Sequence, residues 1–440
     1  MSAIQPSEGC VDLATATLIG RLGLVRAVKQ ILREPGEPRL YSASSVTAST
    51  GFFARNDIVG HCGAIGFTWP EAATGAIGEC IERYCCGQYE WDTLVFATQD
   101  ELGADAIGMD TFALYTPWQY AHPDFPFAQG KPSEPIWWAP AWSLVTRERK
   151  YVPAALVYVP YEPHDRSKPT DFVALAVSSG QACHTDPTRA LLTGLFEVVE
   201  RDAFMIAWLR KLVLPRVDYM ADPELRAIYE RHFGGSALTF HIFDITMDIR
   251  LPTMLCIVEG TSPKGPFIAT GAATRTNERA AIVKALLEGA QDVVWVRDLI
   301  KRKPNWRPDP DYMNVRDFED HVRLFCEPYM VQHVDFLLGG TESRPVAADR
   351  TFESPALELQ HCVAEVQRNG LDVVVVDTTS PEIADAGFCV PKVFIPGTVT
   401  LTAIHGLPAV GCPRLYDVPT RIGYQGPIHD GINPIPHPFP

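Results

Sequence analysis

Residues 190–204 read ALLTGLFEVVERDAF, and the two residues Asp186 and Pro187 stand just ahead of them. Asp186 offers an N-cap carboxylate and Pro187 suits the first helical position, so this run predicts a helix. Glu197 and Glu200 are three residues apart and therefore share one face of it. Their neighbours Leu195, Phe196, Val198, Val199 and Phe204 are apolar, whereas a solvated acidic face would carry more Lys and Gln. The pattern predicts two carboxylates pressed together in poorly solvated surroundings, which calls for a counter-charge.

Working outward, the same signature recurs twice. Residues 72–84 read AATGAIGECIERY, with Glu79, Glu82 and Arg83, and residues 280–292 read AAIVKALLEGAQD, with Glu288 and Gln291. Thr68-Trp69-Pro70-Glu71 forms a capping box before the first copy. Asn277 or Thr276 caps the third, which is expected to run to about Arg302. Paired carboxylates at this spacing repel by roughly 0.2–0.5 kcal/mol in an isolated helix. A single ExxER is ordinarily a solvated face. Three acidic helices meeting in one fold would instead gather oxygen ligands around a hard cation. The residues alone therefore point to an enzyme that holds Mg²⁺ and a polyphosphate.

Bulk composition narrows the class. With 46% hydrophobic and 21% charged residues the chain has an ordinary globular make-up, and its formal charge of −15 opposes binding to nucleic acid or anionic membranes. The apolar runs, such as residues 373–376, are too short to span a bilayer, and no secretory signal is visible. The 11 cysteines are odd in number and contain no CxxC pair, which fits free thiols in a reducing compartment. The expectation is a cytoplasmic protein.

The fold class expected is mixed α/β, a single large domain with sheets flanked by helices. Residues 1–38 are expected to form a helical arm, with an amphipathic helix over about Leu13–Leu32. Residues 39–440 form the catalytic domain, closing on a proline-rich tail at 427–440. Strands are expected within 39–68 and at 151–160, 171–178, 238–244, 251–258, 266–273 and Leu371–Asp377, with a helix near 353–369. Residues 103–150, rich in Pro and aromatics, read as an ordered excursion packed on the body.

Taken in order, the motifs GAIGECIERY (75–84), SSGQACHTDPTRALLTGLFEVVERDAF (178–204), GAATRTNERAAIVKALLEGAQ (271–291) and VPKVFIPG (390–397) resemble the YcaO family. The resemblance extends over about residues 40–440, and the ending Pro436-His437-Pro438-Phe439-Pro440 is similar to that of its azoline-forming branch, the cyclodehydratase (D-protein type) subunits of thiazole/oxazole-modified peptide synthetases. It implies three acidic helices converging on an ATP and Mg²⁺ site. Glu79, Glu82, Glu197, Glu200 and Glu288 would serve the metal. The same glutamates with Arg201, Lys284 and Gln291 would hold the nucleotide. Arg83 either meets phosphate or pairs with a carboxylate, and the second role is favoured. Pro436, Pro438, Pro440 and His437 would be the catalytic tail, the prolines and the terminal carboxylate of Pro440 set beside the reacting amide and His437 a candidate general base; this role is favoured over the alternative, a polyproline II tail docking a partner. The chain departs from the family pattern at Ile65 (usually Lys), Gly75 (usually Ser) and Ser179 (usually Asn).

The activity so implied is ATP-dependent conversion of Cys, Ser or Thr in a ribosomally made precursor peptide to thiazoline or oxazoline. Implied partners are the precursor peptide, a separate ubiquitin-activating-enzyme-like protein that binds the leader, and an FMN-dependent azoline dehydrogenase. The partner protein is expected to be separate because the first acidic helix begins near residue 70. A thioamide- or amidine-forming enzyme and a non-catalytic scaffold remain as alternatives.

Overall fold

The computed structural model describes residues 18–20, 23–51, 61–165, 171–428 and 431–440. Three sheets carry the three acidic helices. Strands β1 (Val25–Ile31), β2 (Tyr41–Thr47) and β3 (His61–Gly66) form an antiparallel sheet in that order. The first acidic helix, Trp69–Cys86, lies on it. Its N-cap Thr68 accepts from Glu71 N while the Glu71 carboxylate accepts from Thr68 N, the expected capping box. Small residues Ala43, Ala72 and Ala76 make the helix–sheet contact, and Ser45 Oγ donates to the Ala76 carbonyl at 2.6 Å.

A second sheet runs in the order β10 (Gly265–Thr274), β9 (Thr253–Ser262), β8 (Thr239–Asp244), β7 (Arg216–Val217), β11 (Ser343–Arg344). Its central strands alternate strictly. Phe267, Ala269 and Ala273 of β10, with Met254, Cys256 and Val258 of β9, face a core shared with the third acidic helix, Glu278–Arg302. Ile268 and Ala272, with Leu255 and Ile257, face the opposite core, built with the second acidic helix Pro187–Leu209 and the C-terminal tail. Period-two burial on both faces is what lets one sheet position two of the acidic helices. The third sheet, in the order β13 (Pro391–Phe394), β12 (Val374–Asp377), β5 (Ile136–Ser143), β4 (Val95–Ala97), with β6 (Arg149–Pro153) beside β5, packs Val393 and its neighbours on Leu192, Leu195, Phe196 and Val199.

The helix starts follow the sequence. Asp186 caps the second acidic helix and Asn277 the third, which ends at Arg302. The strands expected at 238–244, 251–258 and 266–273 are β8, β9 and β10. Five expectations need correction. The helix expected over Leu13–Leu32 is not one over its last turns, because Val25–Ile31 is β1; residues 13–17 lie outside those described. Val25, Val28 and Ile31 recur every three residues, a helix-like spacing, but a bulge between Val25 and Ala27 lets the segment pair with β2. The strand expected at 151–160 ends at Pro153, and a helical turn Ala154–Val157 follows. Residues 171–178 belong to no sheet. The strand expected from Leu371 begins at Val374. Within 103–150, Trp137 and Trp138 belong to β5, so that stretch builds the third sheet instead of lying over it.

Candidate active site

The acidic helices converge on a cleft of about 720 Å³, lined by Glu79, Glu82, Glu197, Glu200, Arg201, Lys284 and Glu288 together with Arg83, Arg275, Phe439 and Pro440. Backbone groups from neighbouring strands fix the carboxylates. Glu79 accepts from Gly63 N at 2.7 Å, and Gln291 Nε2 donates to the Gly63 carbonyl at 3.0 Å. One residue of β3 thus ties the first acidic helix to the third. Gln291 is spent on this contact and does not line the cleft. Glu200 accepts from Thr274 N at the end of β10 (3.2 Å), and Glu197 from Gly180 N (3.2 Å).

Two close backbone approaches make this convergence feasible. A Cβ on Gly271 would stand 2.2 Å from Gly289 N, so only glycine lets β10 lie against the helix turn that carries Glu288. Gly180 has φ +85°, and a Cβ there would meet the Val393 carbonyl at 2.1 Å.

Cations interleave with the acids. Arg201 bridges Glu197 (3.2 Å) and Glu200 (2.7 Å), Arg83 pairs with Glu79 (2.7 Å), and Lys284 pairs with Glu288. Arg83 therefore occupies the structural role favoured for it. Glu82 accepts no hydrogen bond from any described residue. Burial, then the charges of Glu197 and Glu79, push its carboxyl well above the ordinary range. Burial also raises Glu197, against the pull of Arg201, and lifts Glu200 to about 7. At Glu288 burial pushes upward too, but Lys284 and the more distant Arg201 and Arg275 outweigh it and hold the group below its usual value.

Arg275 was not singled out from the sequence. It lines the cleft, its Nη1 donates only to the neighbouring Thr274 carbonyl (2.6 Å), and its guanidinium lies 5.4 Å from the Phe196 ring. Unlike Arg83, Arg201 and Lys284, it forms no ion pair among the described residues. The only signal for it in the sequence was a basic residue just before the third helix cap.

Carboxylates that resist ionisation until a cation arrives are a donor set suited to Mg²⁺. That ion binds through one or two carboxylates plus phosphate and water oxygens. Among the described residues no three His, Cys, Asp or Glu side chains stand together as a ready-made cage, which is compatible with this mode of binding. The unpartnered Glu82 beside Glu79 and Glu197 is where the donor set best fits the ion.

The tail is captured by its carbonyls, since proline has no N–H to offer. Trp208 Nε1 donates to the Ile435 carbonyl (3.0 Å), Thr270 Oγ1 to that of Pro438 (2.9 Å), and His321 Nδ1 to that of His437 (2.8 Å). Phe439 packs on Phe204, with the Arg201 guanidinium 4.3 Å from its ring centre. Of the tail residues singled out, Pro440 reaches the cleft. Pro436 and His437 line a separate cavity of about 490 Å³ beside His321 and His405. His437 is buried, its Nε2 donates to the Thr402 carbonyl (2.9 Å), and its Nδ1 accepts from Phe439 N. Burial, then the stacked His321, holds its basicity well below the usual range. It is a tail anchor.

Of the three departures, Ile65 packs in the core under the third acidic helix, Gly75 has Ala64 of β3 against it, and Ser179 lines the cleft. No helix among the described residues is long and apolar enough to cross a membrane.

Comparison with known proteins agrees with this fold. A heterocyclase in complex with substrate and cofactor superposes with a TM-score of 0.75 at 24% identity, covering 96% of this chain and 56% of its own. The YcaO protein of Methanopyrus kandleri bound with AMPPCP and Mg²⁺ gives 0.59 at 18% identity, covering 85% and 86%. The E. coli microcin synthetase McbBCD complex gives 0.55 at 15%, covering 84% and 88%. These likenesses establish the fold, and the chain spans only about half the length of the first. An uncharacterised protein of Methanothermobacter thermautotrophicus is 26% identical over 345 residues, 76% of this chain and 80% of that protein. The family described as YcaO cyclodehydratase, ATP- and Mg²⁺-binding, matches residues 63–399, and by that match the chain belongs to the YcaO family.

Proposed function

We propose that this protein is the ATP- and Mg²⁺-dependent cyclodehydratase subunit of a synthetase that installs azoline rings in a ribosomally made peptide. The observation that carries this reading is the meeting of five glutamates from three helices with Arg201 and the end of the tail at one cleft. Glu82, with Glu79 and Glu197, would hold the ion, which when bound neutralises charge between the phosphates. Arg275 would meet phosphate oxygens. Arg201, fixed by Glu197, Glu200 and the Phe439 ring, would orient the reacting oxygen.

In this reading the Cys, Ser or Thr side chain adds to the preceding amide carbonyl. The oxygen so formed takes the γ-phosphoryl group of ATP, and phosphate leaves as the ring loses oxygen. The cleft's contribution is positioning and charge. The leader-binding partner and the flavin-dependent dehydrogenase would be other polypeptides, a reading supported by the resemblance and by the likeness to a synthetase complex.

Peptide mass is the test. With Mg·ATP, partner protein and precursor, each modified residue should lose about 18 Da, matched by released phosphate. Glu200→Gln should reduce both by more than about a hundredfold. A gain of about 16 Da would mean thioamide formation. Retained peptide mass with no nucleotide binding would mean a scaffold.

A further inference from the structure

A second, largely apolar pocket adjoins the cleft and shares its wall at Leu175, Ala176, Val177, Ser179, Arg201 and Leu401. Its volume of about 80 Å³, bounded by Phe112, Leu114, Ala174, Val393 and Ala409, suits one aliphatic side chain.

The shared wall is chemically unusual. The run Asp171–Ser178 reads as a strand, yet it belongs to no sheet. The backbone N–H groups of Leu175, Ala176 and Val177 donate to nothing among the described residues. Of these three residues' carbonyls only that of Val177 is engaged among the described residues, by the buried Lys392 ammonium (2.8 Å), which also holds the Leu156 and Val157 carbonyls. Leu175 is 44% exposed beside these free donors. Backbone N–H groups left free at a cleft wall are what an added peptide strand pairs with. Lys392 pins the run at the Val177 carbonyl, beside the cleft that Leu175, Ala176 and Val177 line.

We propose that Leu175–Val177 is the docking edge for the substrate peptide, held backbone to backbone. The side chain of the residue whose carbonyl is attacked enters the pocket behind that edge. The protein would accordingly prefer an aliphatic residue immediately before the cyclised Cys, Ser or Thr. This rests on the peptide-modifying reading above, but a binding measurement tests it without turnover.

The probes are synthetic peptides Gly-Gly-X-Cys-Gly-Gly, with X as Gly, Ala, Val or Leu, added to the protein with Mg²⁺ and a non-hydrolysable ATP analogue. Affinity should rise by about tenfold or more from Gly to Val or Leu. Amide hydrogen exchange over residues 174–178 should slow by about tenfold or more when the Leu peptide is bound. Ala409→Phe, which fills the pocket and touches no glutamate, should erase the preference and leave nucleotide affinity unchanged. The peptide series on the native protein stands even if that variant fails to fold.

Peptides that bind, or are cyclised, without regard to X overturn the pocket and leave the peptide-modifying reading intact. A preference for X with unchanged exchange at 174–178 overturns the docking edge. Intact nucleotide binding with no binding of any peptide overturns both.

Discussion

Arg275 and Asp292 show what a single side chain reveals once its surroundings are known. Arg275 lines the cleft with no carboxylate partner among the described residues, as does Arg316, whose Nε is taken by the Met313 carbonyl; the Arg275 guanidinium is therefore open to phosphate. Arg275→Met should weaken ATP binding by about tenfold to a hundredfold, the range for one hydrogen bond to a charged group, and leave adenosine binding unchanged. Titration calorimetry with both ligands measures this; equal losses would mean that the arginine acts on the fold and not on phosphate. Asp292 lies one turn after Glu288 in the third acidic helix. Its Oδ2 accepts from Thr270 N (2.8 Å), but its buried Oδ1 has no partner. Burial lifts its carboxyl to about 8. A carboxyl raised on folding favours the folded state while protonated, so its contribution is full below about pH 4 and is lost as pH rises through 8. Asp292→Asn keeps an acceptor for Thr270 and removes the titration. The variant should match the native protein below about pH 4 and gain on the order of a few kcal/mol above pH 8, read from denaturant unfolding at the two pH values.

At the scale of elements, the site depends on how closely β10 and the third acidic helix can lie together. Gly271 faces the Gly289 amide with no room for a methyl group. Gly271→Ala should lower stability by about 1–3 kcal/mol and weaken Mg·ATP binding by displacing Glu288, with both changes followed by thermal unfolding in the presence and absence of nucleotide. A stable variant with unaltered binding would show that the strand yields without moving the glutamate. The acidic helices themselves were legible in the sequence. Capping by Thr68, Asp186 and Asn277 is a local interaction, and apolar residues around each Glu pair marked burial before any contact was known. β1 was not legible, since Val25, Val28 and Ile31 have helical spacing and only pairing with β2, through a bulge, makes them a strand. Residues 171–178 failed in the opposite sense, with strand composition but no neighbour to pair with.

Across the whole molecule, the C-terminal tail joins the two halves of the site. It crosses the second acidic helix at Trp208, touches β10 at Thr270, and ends with Phe439 under Arg201. A second long-range tie, Arg414 to Asp202 (2.5 Å) and Asp248 (2.7 Å), holds the same helix to the segment before the tail. Phe439→Ala should cost about 3 kcal/mol or more in stability, from the lost burial against Phe204. It should also lower turnover by a larger factor than nucleotide affinity, since Arg201 loses the ring that orients it. Unfolding, nucleotide titration and peptide mass together separate these effects; equal losses of turnover and affinity would assign the tail to nucleotide binding. By itself the sequence determined the three capped acidic helices, the glutamates paired along them and the existence of strands β8 to β10, because each depends on neighbours within a few residues. The tertiary structure alone decided that Gln291 is spent on Gly63, that His437 is a buried anchor and Pro440 a cleft residue, and that Arg275 reaches the cleft without a carboxylate partner. These depend on distances between segments well separated along the chain, and local sequence does not encode such distances.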